Sequence, residues 1–344
     1  MLALGVARLK PSQTAGAAVE VRRTVQFTGG SSYSITLPKE WARRMGIKKG
    51  SLVVLKPVED GALALYAERE IQPEDHEVEI NLRPNVGQLV VGAYLYGYNL
   101  IRISSATPMR DTELAEIKKV VRGLAGAEIV DETPTKVEIQ VVLDRQLVAP
   151  ERLLRRQQTL VLGMVENAVD AYVKRNNSLG RLVVQRDEEV DRLYFTLVRI
   201  VRSAVIDPTL ARKLGTSPLV LMDLRVAAKF MEDAGDQASE IAREAIKNSK
   251  EVDEETLDEL KSLSSLIISM GSGPLDAFFS QDLDRIAKIT STRGEFIKRG
   301  ESFIKKASQS TNSATVFKVY YHLSKVCEDF ADTAELGLPF KPSH

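Results

Sequence analysis

Over the first 70 residues, apolar and polar positions alternate in short runs. Residues 24–27 read as a strand and Gly29-Gly30 as a turn. Residues 32–37 read as a second strand, in which Tyr33, Ile35 and Leu37 alternate with Ser32, Ser34 and Thr36. Pro38 suits the first turn of a helix that carries Trp41 and Met45 four apart on one face and stops at Gly46. Lys49-Gly50 then marks a turn, 52–55 a strand, Asp60-Gly61 a hairpin signal and 63–66 the last strand. A segment with four short strands and one small helix cannot enclose a core alone, so pairing with a second copy is the physical expectation.

The pattern changes after residue 70. Segments 77–82, 86–95, 100–104 and 112–124 alternate strand and helix, and 128–131 with 136–143 form a hairpin around Thr133-Pro134. Two readings of this α+β module stay open: a spacer or dimerisation layer, or a ligand-binding regulatory module. From Pro150 onward the apolar period is helical. Breaks fall at 176–180, 207–217, 248–252, 271–274, 280–282 and 308–313, which implies six helices of roughly 20 to 29 residues, long enough for a bundle. The implied domains are an N-terminal extension at 1–19, a small β domain at 20–69, the α+β module at 70–149, and helical repeats at 150–250 and 251–344.

Composition narrows the chemistry. The 344 residues are 44% apolar and 27% charged, ordinary values for folded domains. Their 47 Lys/Arg and 47 Asp/Glu cancel. The cancellation is regional: residues 1–69 hold 11 basic against 5 acidic side chains, 70–150 hold 8 against 13, and 151–344 hold 28 against 29. One cysteine, Cys327, excludes an internal disulfide framework and a Cys-cluster zinc site. Three histidines, His76, His322 and His344, exclude a His-rich metal centre and leave few bases for a nucleophilic triad. Apolar stretches such as 89–98 fall short of the roughly 18 residues a membrane helix needs, and 2–7 is too short for a signal-peptide core. The expectation is a cytoplasmic protein without membrane insertion.

The helical region carries an internal repeat. LVLGMVENAVDAY at 160–172 lies against LIISMGSGPLDAF at 266–278, an offset of 106, and FMEDAGD at 230–236 lies against VCEDFAD at 326–332, an offset of 96. Two three-helix units follow. In both, the third helix carries an acidic pair four residues apart: Glu232 with Asp236, and Glu328 with Asp332. Such pairs point two carboxylates the same way and repel unless a cation lies between them. The second helix of the first unit adds Asp187 and Asp191, and its first helix adds Glu166 and Asp170. Carboxylates converging from neighbouring helices are hard oxygen ligands for Mg²⁺, Mn²⁺, iron or zinc; acidic pairs on a solvated face are the plain alternative. In the second unit the positions facing Asp187 and Asp191 hold Arg293 or Gly294 and Ile297 or Lys298.

RDEEVDRLY at 186–194 and LRVAAKFMEDAGDQASEIA at 224–242 resemble the PhoU family, which is built of tandem three-helix repeats and regulates phosphate uptake. The resemblance implies that its acidic metal-cluster motif falls on Asp187, Asp191, Glu232, Asp236, Glu328 and Asp332, with one pair of the second cluster missing. The ions implied are divalent or trivalent: iron, zinc, manganese or magnesium. LPKEWARRMGIKKG at 37–50 is similar to SpoVT-AbrB domains, intertwined dimeric β-folds that bind DNA. The combination resembles archaeal PhoU-type regulators.

The implied fold class is thus multidomain α+β: a swapped-hairpin β domain, a small α+β module, and an all-α six-helix bundle of tandem repeats. Arg22, Arg23, Lys39, Arg43, Arg44, Lys48 and Lys49 are the candidate phosphate contacts, with Ser31, Ser32 and amides near Gly29-Gly30 as added donors. The same cations around a dimer core would also serve as a solubilising face. The function implied is a dimeric, or higher oligomeric, DNA-binding regulator of phosphate uptake with a metal-binding helical sensor. The alternative is an adaptor that ignores DNA and docks on the phosphate ABC transporter ATPase or a partner kinase. Clustered carboxylates also suit two-metal hydrolysis, but no basic substrate clamp or general acid stands near them, so the chain is read as a non-enzyme. Cys327 and His322 read as packed structural residues.

Overall fold

The computed structural model describes residues 21–28, 32–57, 62–67, 77–143, 149–247, 252–308 and 313–338. The extension at 1–19, Gly29-Gly30, Ser31 and the Asp60-Gly61 turn lie outside the described residues. The chain separates into two units, Met1–Glu74 and Asp75–His344.

In the first unit β1 (Gln26–Thr28) pairs antiparallel with β2 (Ser32–Ser34), and β3 (Val53–Pro57) with β4 (Leu63–Ala67), on either side of α1 (Lys39–Arg44). Phe27 stands opposite Tyr33, their rings edge to face at 5.2 Å. Trp41 and Met45 are half-buried, and no described residue of this unit is buried. Phe27, Tyr33, Ile35, Leu52 and Leu63 are each more than half exposed. Two-stranded ladders supply too little apolar area to fold unaided, and that is the physical ground for expecting a second chain here.

The second unit opens with an α/β layer. Its elements are β5 (Glu77–Asn81), α2 (Val86–Leu95), β6 (Leu100–Ser104), α3 (Asp111–Arg122), β7 (Ala127–Thr133) and β8 (Lys136–Val141). The sheet order is β5-β6-β8-β7, with β5 parallel to β6 and the other pairs antiparallel. Period-two alternation sends Ile101, Ile103, Val137 and Ile139 to a face fully buried with Val90 and Tyr94 of α2 and Ile117 of α3. The other face carries charges, with Arg102 bridging Glu77 and Glu138.

The helical body follows: α4 (Pro150–Val173), α5 (Asn177–Ile206), α6 (Pro208–Lys213), α7 (Pro218–Lys247), α8 (Glu254–Met270), α9 (Gly273–Ser280), α10 (Leu283–Ala307) and α11 (Ser313–Glu335). The break expected at 176–180 is only the cap of α5, where Asn176 Oδ1 accepts from the Leu179 amide at 3.1 Å. The break expected at 207–217 contains the short helix α6. The first helix of the second repeat divides at Gly271, whose φ of 50° suits glycine, into α8 and α9. Asp253 and Asp282 cap α8 and α10 through backbone amides. One apolar core runs through both repeats, from Leu154, Val161 and Met231 to Leu263, Leu323 and Phe330. Each such side chain contributes about 1.5–3 kcal/mol.

Arg199 ties the body to the α/β layer. The residue is 1% exposed. It lies 4.8 Å over the Tyr94 ring and donates to the carbonyls of Tyr94, Gly97 and Tyr98 and, at 2.8 Å, to Asn99 Oδ1. Those carbonyls include the C-terminal end of α2, where a cation complements the helix dipole.

Candidate functional site

Two helices meet closely at one small residue. A Cβ on Gly235 of α7 would stand 3.0 Å from Val190 Cγ1 of α5 and 3.6 Å from Val161 Cγ2 of α4. Val190 lies between Asp187 and Asp191, and Gly235 between Glu232 and Asp236, so the contact that closes the α5–α7 seam also brings both acidic pairs to it.

The seam takes these carboxylates out of water. The Asp187 and Glu232 side chains are 14% and 13% exposed; Asp191 is half-buried and Asp236 sits at the exposed mouth. Burial, then Asp187, Glu232 and Asp236, push the Asp191 carboxyl up to about 7. Asp187, Glu232 and Asp236 are raised too, burial being the first cause in each. Two cations flank the ends of the seam. Lys229 pairs with Glu232 and, at 2.7 Å, with Asp233. Burial lowers its pKa and the hydrogen bonds to Asp233 and Glu232 outweigh that, so the net shift is upward. Arg243 reaches Asp187 only at 3.9 Å and is engaged by Glu240 at 2.5 Å. Between them Asp187 Oδ1 is buried without a hydrogen bond.

That orphaned oxygen fits a bound cation, because a buried carboxylate oxygen costs free energy until something positive or a donor reaches it. Oxygens of Glu232, Asp233 and Asp236 also lie within 4.8 Å of one another. Asp233 was not singled out by spacing. Glu166 and Asp170 do not join the set: Glu166 is exposed, and Asp170 pairs with Lys174 of its own helix at 2.6 Å.

The second repeat is arranged differently. Glu328 is about half exposed and pairs with Lys325 at 2.8 Å. Asp332 lies 3.9 Å from Arg293, which also holds Glu335 at 3.3 Å. The inward acid on α11 is Asp329, pushed up to about 8 by burial and then by Asp233, Asp332 and Glu328. Cys327 is buried, its thiol pushed up to about 12 by that burial. His322 Nδ1 lies 2.8 Å from Gln237 Oε1, tying α11 to α7.

In the first unit Arg22, Arg23, Lys39, Arg43, Arg44, Lys48 and Lys49 are all exposed, as is Ser32. Arg43 and Arg44 sit in the last turn of α1.

Residues 154–245 match the PhoU domain family, and residues 26–73 match MazE, the bacterial antitoxin of antidote–toxin recognition. The two matches lie on separate stretches of the chain, the MazE-type one in the first unit and the PhoU-type one in the first half of the helical body. Asp187, Asp191, Glu232 and Asp236 all fall within the PhoU span, and Glu328 and Asp332 fall beyond it. Both families are regulatory rather than catalytic. PhoU from Pseudomonas aeruginosa is similar at 17% identity over 56% of this chain and 95% of that chain, with a TM-score of 0.49. The phosphate transport system regulatory protein PhoU from Streptococcus pneumoniae is similar at 17% identity over 55% and 91%, with a TM-score of 0.46. No curated protein matches the chain. No helix among the described residues is long and apolar enough to cross a membrane.

Proposed function

We propose that this chain is a DNA-binding regulator of phosphate uptake whose MazE/AbrB-type head, completed by a second copy, grips DNA while its PhoU domain holds a metal ion between α5 and α7. The observation that carries the metal half is the ligand-spaced cluster of Glu232, Asp233 and Asp236, which faces Asp191, raised by Asp187, Glu232 and Asp236, and lies beside the orphaned Asp187 Oδ1. Asp187, Asp191, Glu232 and Asp236 would hold the ion. A bound cation supplies the positive charge that offsets four carboxylates drawn into one seam, and a set with neither imidazole nor thiolate favours hard ions such as Mg²⁺, Mn²⁺ or iron.

What supports the DNA half is a head whose seven candidate cations are exposed and whose apolar residues await a partner. Cations on such a surface displace counterions from phosphates, so affinity falls with salt at about −0.9 in log–log slope per phosphate contacted. The test is binding of the full chain to promoter DNA of phosphate-uptake genes, in parallel with metal analysis of protein purified without chelator. Salt-sensitive binding lost in Arg22→Ala/Arg23→Ala, together with metal that Asp187→Ala removes, supports the reading. Indifference to DNA at low salt with co-purification of the transporter ATPase would instead select the adaptor.

A further inference from the structure

On α7 the residues along the seam stripe are Glu232, Asp236, Ser239 and Arg243, three or four apart, with Gly235 beside Asp236. Ser239 lies one turn beyond Asp236 and is wholly buried, with an Oγ that makes no hydrogen bond. Serine and threonine inside a helix ordinarily return the hydroxyl to a carbonyl of the preceding turn. Ser203, Thr196 and Thr333 do so here, at 2.7–2.8 Å. Ser239 does not. Across the seam stands Asp187, whose Oδ1 is likewise buried and without a hydrogen bond. The two side chains face each other: after burial and Asp236, which raise the Asp187 pKa, the Ser239 hydroxyl is near enough to lower it as a hydrogen-bond donor, though the pair falls short of full hydrogen-bond geometry. A buried hydroxyl that faces a carboxylate short of full hydrogen-bond geometry needs a small closing movement to complete the bond.

We propose that Ser239 is a positioning residue of the cation site: its hydroxyl donates to the Asp187 carboxylate when the ion binds and holds it so that the orphaned Oδ1 meets the ion. The inference rests on the metal reading above. It also bears on selectivity. A serine hydroxyl at this point makes the surroundings of the ion all-oxygen, so the site takes a hard divalent cation in preference to a thiophilic one.

The probe is Mn²⁺, titrated into the full chain and followed by the electron paramagnetic resonance signal of the free ion, with Zn²⁺ as competitor. Ser239→Ala should weaken Mn²⁺ binding about 10- to 100-fold, the usual cost of removing a group that orients a ligand. The melting temperature of the metal-free chain should fall little, since the contact of the hydroxyl with Asp187 is short of full hydrogen-bond geometry there. Ser239→Cys keeps the volume but offers a weak donor and a soft atom, so the ratio of Mn²⁺ to Zn²⁺ affinity should drop by about tenfold or more. A purely structural serine would not move that ratio. If the unaltered chain binds Mn²⁺ and both variants bind it equally well with the same preference, the role of Ser239 is refuted and the metal site stands. If the unaltered chain binds neither ion, both fall together.

Discussion

The two repeats began from the same pattern and have solved the same electrostatic problem in different ways. In the first, α5 and α7 bring Asp187, Asp191, Glu232 and Asp236 together, and Lys229 and Arg243 reach only the ends of the cluster. In the second, Arg293 stands where an offset of 106 places the counterpart of Asp187, and its guanidinium reaches Asp332 and Glu335. In the second repeat an arginine of α10 lies beside the acids of α11, although Asp329 there is still pushed up to about 8. The first leaves carboxylates raised by burial and by one another, a condition that an ion from solution relieves. The two halves of the helical body thus share a helix pattern and differ in which cations stand beside their acidic seams.

The largest expected effect separates the repeats directly. Asp187→Asn or Asp191→Asn should lower Mn²⁺ affinity at least about 100-fold, while Glu328→Gln or Asp332→Asn should change it less than about threefold, measured by titration calorimetry. Equal losses on both sides would erase the distinction. The same first-repeat variants should raise the melting temperature of the metal-free chain, because each removes a carboxylate whose ionisation the fold opposes.

Next in size is the conversion of one repeat toward the other. Arg293→Asp deletes the built-in cation and sets an acid beside Asp332 and Glu335. Because Arg293 is about a third exposed, screening limits the loss to about 1–2 kcal/mol, read from a urea midpoint. Added Mn²⁺ should recover part of it. An unchanged midpoint would mean that solvent, not Arg293, settles those acids.

Much of this contrast was legible from spacing. Acidic pairs four apart, their recurrence at matched positions and the Arg293 mismatch are features of one-dimensional order, as are helix caps such as Asn176 and Asp253. The first strands, α2 and the β-hairpin followed from period-two and period-3.6 patterns in the same way. What spacing cannot carry is which helix face meets which neighbour. Glu166 and Asp170 have the same i, i+4 pattern as Asp187 and Asp191, yet α4 turns them toward water and Lys174. Spacing gives Asp233 and Asp329 no distinction, since the mutual influence of these two acids comes from α7 packing on α11. Arg199 reads as one more charge in a helix, and only the fold shows its partners to be carbonyls about 100 residues away.

The comparison also has a pH signature. An aspartate titrates near 3.9 when unfolded, whereas folding moves Asp191 to about 7 and Asp329 to about 8. Between those values the native chain holds more protons than the unfolded one, so stability of the metal-free chain falls as pH rises from 4 through 8. After screening, each group should account for about 1 kcal/mol. Saturating Mn²⁺ should abolish the Asp191 share, and Asp329→Asn should abolish the other without altering Mn²⁺ binding. Denaturant melts at pH 5 and pH 8, with and without the ion, would show the two shares separately. A pH response wholly erased by the ion would place both acids at one site.

The smallest effect tests the seam itself. Gly235→Ala gains up to about 1 kcal/mol of helix propensity, and its new methyl meets Val190 Cγ1 at 3.0 Å, so α5 and α7 must part by a few tenths of an ångström. Overpacking of that kind costs about 1–3 kcal/mol. The two terms nearly cancel, and the net change in stability should be within about 1 kcal/mol. Mn²⁺ affinity has no such compensation: the ligands stand on the two helices being separated, and a modest, severalfold loss should follow. Gly294→Ala on α10 has open space around its Cβ and should only gain propensity. Stability that barely moves while affinity drops in Gly235→Ala, with the reverse in Gly294→Ala, would locate the function of the glycine in the distance it sets between two pairs of carboxylates.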